Sequence, residues 1–175
     1  EIIRGPGGTL WGANAVNGVI NVVTKKAADT QGGLLSVAGG TEQRASSALR
    51  YGGKIGELGF YRAYAKYFYT DRGGSFIKPG PGLTPGESND NWQNGQLGFR
   101  VDLDLSPDDK LSLQGGTQVV GANTTFDLPS YTPPTSVRTN AHAEFQDAHF
   151  SGLWTRKLAD DSEIQQMGYW DFYRS

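Results

Sequence analysis

Cysteine is absent from the 175 residues, so neither a disulfide framework nor a thiolate metal site is available. Histidine occurs twice and methionine once. No apolar run approaches the roughly 20 residues of a membrane-spanning helix. The sequence, which starts at Glu1, shows neither a secretory apolar segment nor an amphipathic targeting segment there. A formal net charge of −2 with 19% charged residues leaves out the basic footprint of a nucleic-acid-binding protein. What the chain has instead is 25 Gly, 8 Tyr, 8 Phe and 4 Trp, a mix that suits strands joined by tight turns more than a helical core. Its mean hydropathy of −0.48 reads as polar. That describes a soluble protein, and equally a membrane barrel whose strands interleave polar and apolar residues.

From Leu34 onward the period is two. Strands are expected at about 34–40, 44–53, 59–71, 95–106, 110–121, 139–158 and 163–174. The third is the most informative. One face is Tyr61, Ala63, Ala65, Tyr67 and Tyr69; the other is Phe60, Arg62, Tyr64, Lys66, Phe68 and Thr70. An uncharged face with small residues in the middle and tyrosines toward both ends fits a strand whose middle meets lipid and whose ends meet headgroups. The fourth sets Leu97, Phe99, Val101, Leu103 and Leu105 against Gln96, Arg100, Asp102 and Asp104. Asp102 and Asp104 then line a solvated lumen.

Connections at 52–58, 106–109 and 159–162 are short, whereas 72–94 and 122–138 are long and rich in Gly, Pro, Ser and Asn. Short turns at one end and long loops at the other are the pattern of an up-and-down barrel. Strand runs of ten or more residues match the roughly 9–11 that a tilted membrane strand needs. The fold class expected is all-β, an antiparallel transmembrane barrel wall of about seven strands. A smaller α/β piece precedes it.

That piece is Glu1–Thr24, EIIRGPGGTLWGANAVNGVINVVT. Two short β-branched runs flank a Gly-Pro-Gly-Gly turn and a small-residue segment, Thr9–Asn17, expected to form one or two helical turns. Pro6 suits a helix start, and Gly18 a position needing φ > 0. The run Arg4-Gly5-Pro6, Leu10-Trp11-Gly12, Ala15, Gly18-Val19-Ile20-Asn21-Val22-Val23-Thr24 and Lys25 resembles the closing segment of the plug domain in TonB-dependent outer-membrane receptors. The resemblance divides the chain into the end of a plug (1–27), a linker (28–33, within the polar, Gly-ended stretch Lys25–Gly33) and the first part of a barrel (34–175). It implies active uptake of a scarce, bulky ligand (a ferric siderophore, cobalamin or a glycan). The implied partners are the TonB complex, acting through a segment outside this sequence, the outer-membrane lipid and an extracellular chelate or glycan. It also implies a plug–barrel contact for Arg4 and ligand-collecting loops, with Arg72, Trp92 and Tyr131 as candidates.

Other chemistry is poorly supported. Gly5–Gly8 lacks the G-K-[ST] ending of a phosphate loop. His142 and Glu144 fall on one face of their strand and Asp147 and His149 on the other, so the four do not converge. No metal, cofactor or catalytic residue is expected. Asn123-Thr124-Thr125 matches a glycosylation sequon, which the resemblance to a bacterial family makes incidental. Two alternatives remain from other classes. One is a porin or adhesin barrel without energised transport, and the other is a secreted all-β carbohydrate-binding module.

Overall fold

The computed structural model describes residues 2–5, 16–20, 22–73, 89–132, 136–160 and 162–175. Pro6, Leu10, Trp11, Gly12, Ala15, Asn21, the expected helical turns and the middle of the 72–94 connection lie outside these residues. So do Pro133 and Pro134.

The first element is a small antiparallel pair, β1 (Ile2–Arg4) and β2 (Gly18–Ile20), in which Ile3 faces Val19 and Arg4 faces Gly18. Gly18 has φ +155°, and a Cβ there would stand 2.8 Å from the Ile3 carbonyl oxygen, so the close approach of the two strands requires glycine. A 3-10 turn at Ala28–Thr30 follows. The rest is one antiparallel sheet in chain order: β3 (Gly32–Ala38), β4 (Ala45–Ile55), β5 (Gly59–Thr70), β6 (Trp92–Asp104), β7 (Asp109–Pro129), β8 (Ser136–Lys157) and β9 (Glu163–Arg174). The sheet does not close, since β3 and β9 are its outer strands.

Only Ala27 is a buried hydrophobic residue among those described. The chain exposes 13032 Å², about one and a half times the roughly 8,300 Å² of a compact protein of this mass. A single layer has no interior, so its stability has to come from what covers its faces.

The ladders run without a bulge, so alternation assigns every strand residue to a face. One face carries Leu35, Leu49, Ala65, Leu97, Val119 and Trp170, along with Tyr61, Tyr67 and Trp154 toward its margins. Leu35 is 70% exposed and Leu97 58%. Among the described strand residues of this face, charge occurs only at Asp109 and Arg156 at one margin, and at Asp127, Arg138, Glu144 and Arg174 at the other. On β7 the uncharged belt runs from Leu111 to Gly121, roughly 34 Å of strand and about 25 Å in height once tilted by about 45°. That is the hydrocarbon thickness of an outer-membrane barrel wall.

Two expectations about connections are corrected. Residues 122–129 and 136–138 are not loop: β7 and β8 continue as one ladder from Asp109↔Arg156 to Pro129↔Ser136. Their apolar alternation stops because the outward face leaves the membrane, while the backbone pairing persists. Likewise Trp92 begins β6 and is not part of the preceding loop, because its ring packs edge-on against Phe68 with centroids 4.8 Å apart. The remaining connections are short at one end of the sheet (56–58, 105–108, 158–162). At the other they are 39–44, 71–91 and 130–135.

Candidate functional site: the linker dock on the polar wall

The face opposite the belt is polar, and the linker is fastened to it. Asp102, on β6, accepts hydrogen bonds from Arg100 Nε (2.9 and 3.0 Å to its two oxygens), from Ser112 Oγ across the ladder (2.7 Å) and from the backbone N–H of Ala27 (2.7 Å). Arg100 Nη1 donates to Thr24 Oγ1 at 2.7 Å, and Thr24 Oγ1 donates to Gln114 at 3.4 Å. The linker closes on itself here. Gln31 Nε2 and Thr30 Oγ1 both donate to the Ala27 carbonyl, at 2.7 and 3.2 Å, which leaves Ala27 fully buried.

Glycine makes room for this dock. A Cβ at Gly52 would lie 3.2 Å from Gln31 Cα and 3.1 Å from the Tyr61 carbonyl oxygen, so only glycine lets the linker lie flat against β4. The docked segment sits at the end of the sheet with the short turns, since Gly32 enters β3 opposite Gly52.

Asp102 is therefore an anchor and not a solvated lining residue, which corrects the expectation. Its neighbour Asp104, paired with Lys110 at 3.1 Å with both side chains about 60% exposed, does behave as solvated wall. Sequence reasoning placed Asp102 on the correct face. It missed the role because the partner is a backbone amide 75 residues away; the only local hint was an Arg-x-Asp pair on a luminal face.

At the opposite end, the part of the β7–β8 hairpin above the belt reverses polarity. The outward face now pairs Asn123 with His142 (2.8 Å), Thr125 with Asn140 (2.9 Å) and Asp127 with Arg138 (3.0 Å). The Arg138 guanidinium holds the Asp127 carboxyl below the usual carboxylate range. The inward face there carries Phe126, Leu128 and Val137, each about half exposed.

The other candidate residues are scattered. Arg4 is exposed at the end of β1, opposite Gly18. Arg72 follows β5, its amide donating to Asp71 Oδ1 at 2.9 Å. That amide first, and then the Arg44 side chain at 2.8 Å, keep the Asp71 carboxyl below its ordinary range. Trp92 stands at the far end of the same connection, and Tyr131 is fully exposed at the tip of the β7–β8 hairpin. His142 bonds Asn123, and no group of three or more His, Asp or Glu able to hold a metal occurs among the described residues.

An uncharged outward belt and a polar opposite wall, on an open antiparallel sheet of seven strands, are those expected of a fragment of a membrane β-barrel. Comparison with known proteins finds relatives over part of the chain. The chain is 26% identical over 127 residues (66% of the chain, 17% of the relative) to the ferric enterobactin receptor PirA of Pseudomonas aeruginosa. It is 31% identical over 102 residues (58% and 15%) to the vitamin B12 transporter BtuB of Vibrio cholerae. Over 42 residues it is 43% identical (24% and 7%) to BtuB of Vibrio vulnificus. No family model and no solved structure matches. The chain is thus homologous, over part of its length, to the TonB-dependent receptors of bacterial outer membranes. It spans between 7% and 17% of the length of these curated relatives. The homologues are transporters and receptors, not enzymes.

Proposed function

We propose that this chain is part of a receptor for TonB-dependent uptake of a scarce, bulky ligand across the outer membrane, a ferric siderophore, cobalamin or a glycan. The observation that carries the reading is the linker dock. A segment leading from the β1–β2 unit is pinned by Asp102 and Arg100 to the inward wall of a sheet whose outward face is built for lipid. A porin or adhesin has no need to tether a domain inside its wall. In this reading residues 1–27 close a plug, 28–33 form the linker and 34–175 begin the barrel. The short turns face the periplasm and the long connections face outward. Arg4 contacts the barrel from the plug, and Arg72, Trp92 and Tyr131 border the ligand entrance. TonB engages a segment outside residues 1–175.

The test is growth and uptake. A strain lacking the gene is compared with its parent under iron, cobalamin or glycan limitation, using labelled ligand. A defect for one ligand class, reproduced when the energising complex is removed, is the expected result. Recovery of the full-length product in the soluble fraction, or unchanged uptake of all three classes, would sink the proposal.

A further inference from the structure

The outward belt is not evenly filled. Leu49, Ala65, Tyr67, Gly95, Leu97 and Val119 border a depression of about 500 Å³ on the lipid-facing side of β4 to β7. Its floor is Gly95, which stands between Tyr67 and Val119 in the ladder. A Cβ there would meet nothing within 4 Å, so neither a crowded neighbour nor a left-handed backbone calls for glycine. Every other glycine of β4 to β8 has a neighbouring atom within 3.5 Å of that position, as where the Tyr61 ring covers Gly53, Tyr64 covers Gly98 and Phe99 covers Gly115. Glycine inside a strand weakens it, and an open one marks a place where another molecule approaches closely. This side faces away from the lumen, so no other part of a barrel fills the space.

Above the depression the same face turns to amides. The Tyr67 hydroxyl donates to Gln93 at 3.0 Å on its upper rim. Four residues beyond Val119, roughly 10 Å higher along a tilted strand, Asn123 joins Asn91 and His142 at 3.2 and 2.8 Å, and next to it Thr125 joins Asn140 at 2.9 Å. These bonds leave Asn91 Nδ2, Asn140 Nδ2 and His142 Nε2 without a partner among the described residues. Charge on this strip of β7 and β8 is limited to Glu144 and the Asp127–Arg138 pair. We propose that the depression and the amide strip together hold one outer-leaflet glycolipid, an acyl chain lying over Gly95 and the saccharide against Asn91, Asn140 and His142. The inference rests on the receptor reading for which end of the sheet faces outward. Inside a membrane an acyl chain gains no hydrophobic energy by leaving other lipid, so the depression contributes dispersion contact alone. Selection therefore comes from the head group. A carboxamide sets a donor beside an acceptor, which matches neighbouring sugar hydroxyls. A glycerophospholipid presents a phosphate and an ammonium instead, and the strip has few charges to meet them.

The experiment uses the full-length receptor, stripped of lipid in detergent and given an equimolar mixture of lipopolysaccharide lacking its O-chain and phosphatidylethanolamine. Native mass spectrometry reads what stays bound, and one glycolipid per barrel is expected. Gly95→Leu, which fills the depression, should keep the heat-modifiable barrel band and lower glycolipid retention about tenfold, as dispersion contact is lost. The Asn140→Leu/His142→Leu variant, which leaves the depression intact, should bring the preference for glycolipid over phospholipid close to parity. No retained lipid, equal retention of both lipids by the unsubstituted receptor, or a dimer mass in place of a lipid adduct would overturn the inference. So would unchanged retention in Gly95→Leu or an unchanged preference in the double variant. Retention of phosphatidylethanolamine alone would assign the depression to the inner leaflet and overturn it as well. The readout involves no transport, so it stands apart from the uptake assays that test the receptor reading.

Discussion

The β7–β8 hairpin contains two regions with the same backbone ladder and opposite surfaces. From Leu111 to Gly121 the outward face is uncharged and the inward face carries Ser112, Gln114 and Gln118. From Asn123 to Asp127 the outward face bonds Asn to His and Asp to Arg, while Phe126 and Leu128 turn inward. Nothing in the pairing changes at Gly121; only the medium outside the sheet changes. Strand pairing decides where backbone goes, and the solvent on each side decides which residue types stand there.

The sharpest way to break this comparison is to put the same residue in both regions. Leu97→Arg, in the middle of the belt, is expected to cost about 2–4 kcal/mol in lipid, whereas Thr125→Arg above it should cost less than about 1 kcal/mol. Urea unfolding of the full-length receptor in vesicles measures both, and equal costs would mean that the belt does not face lipid. An intermediate effect is expected on the inward wall. Asp102→Asn keeps the shape but loses the charge that holds Arg100 and the Ala27 amide, at about 1–3 kcal/mol of docking. It should show as faster tryptic cleavage after Lys25 or Lys26.

Smaller again is Asp127→Asn in the extension, which weakens an exposed cross-strand pair with Arg138. It is read as increased amide exchange between 123 and 142. The least perturbing probe is pH. Asp127 and Asp71 have folded pKa values below the ordinary carboxylate value of about 3.9. Their pairs therefore contribute fully above that value and are lost as pH falls through the lower folded one. Carboxyl NMR shifts of the two residues should stay flat from neutral pH down to the usual carboxylate range and move only below it. A midpoint at or above the ordinary value would mean that the Arg138 or Arg72–Arg44 contacts do not form.

The strand faces were legible in sequence because lipid on one side and water on the other enforce strict alternation, as at Tyr61–Tyr69 and Leu97–Leu105. The extension was not, because Asn123–Pro129 has no apolar outward residues and carries the Pro and Thr of a loop; its pairing is visible only against 136–142. The dock was hidden for a different reason. Asp102 was placed on the inward face by its period, but its partner is the amide of Ala27, and a backbone amide leaves no sequence mark. The depression at Gly95 was half visible. Leu97 sat on the uncharged side of its strand, and the open space over Gly95 depends on a register no single strand reveals.

The burial of Ala27 also sets a leash length. With the dock closed, the four-residue span from Ile20 to Thr24 can reach at most about 14 Å, which bounds how far a pull can carry the β1–β2 unit from the wall. Opening the dock releases the chain as far as Gly32, where β3 holds it, and raises that limit to roughly 40 Å. The hydrogen bonds from the Ala27 amide to Asp102 and from Arg100 to Thr24 therefore separate a short excursion from one longer than the belt is tall.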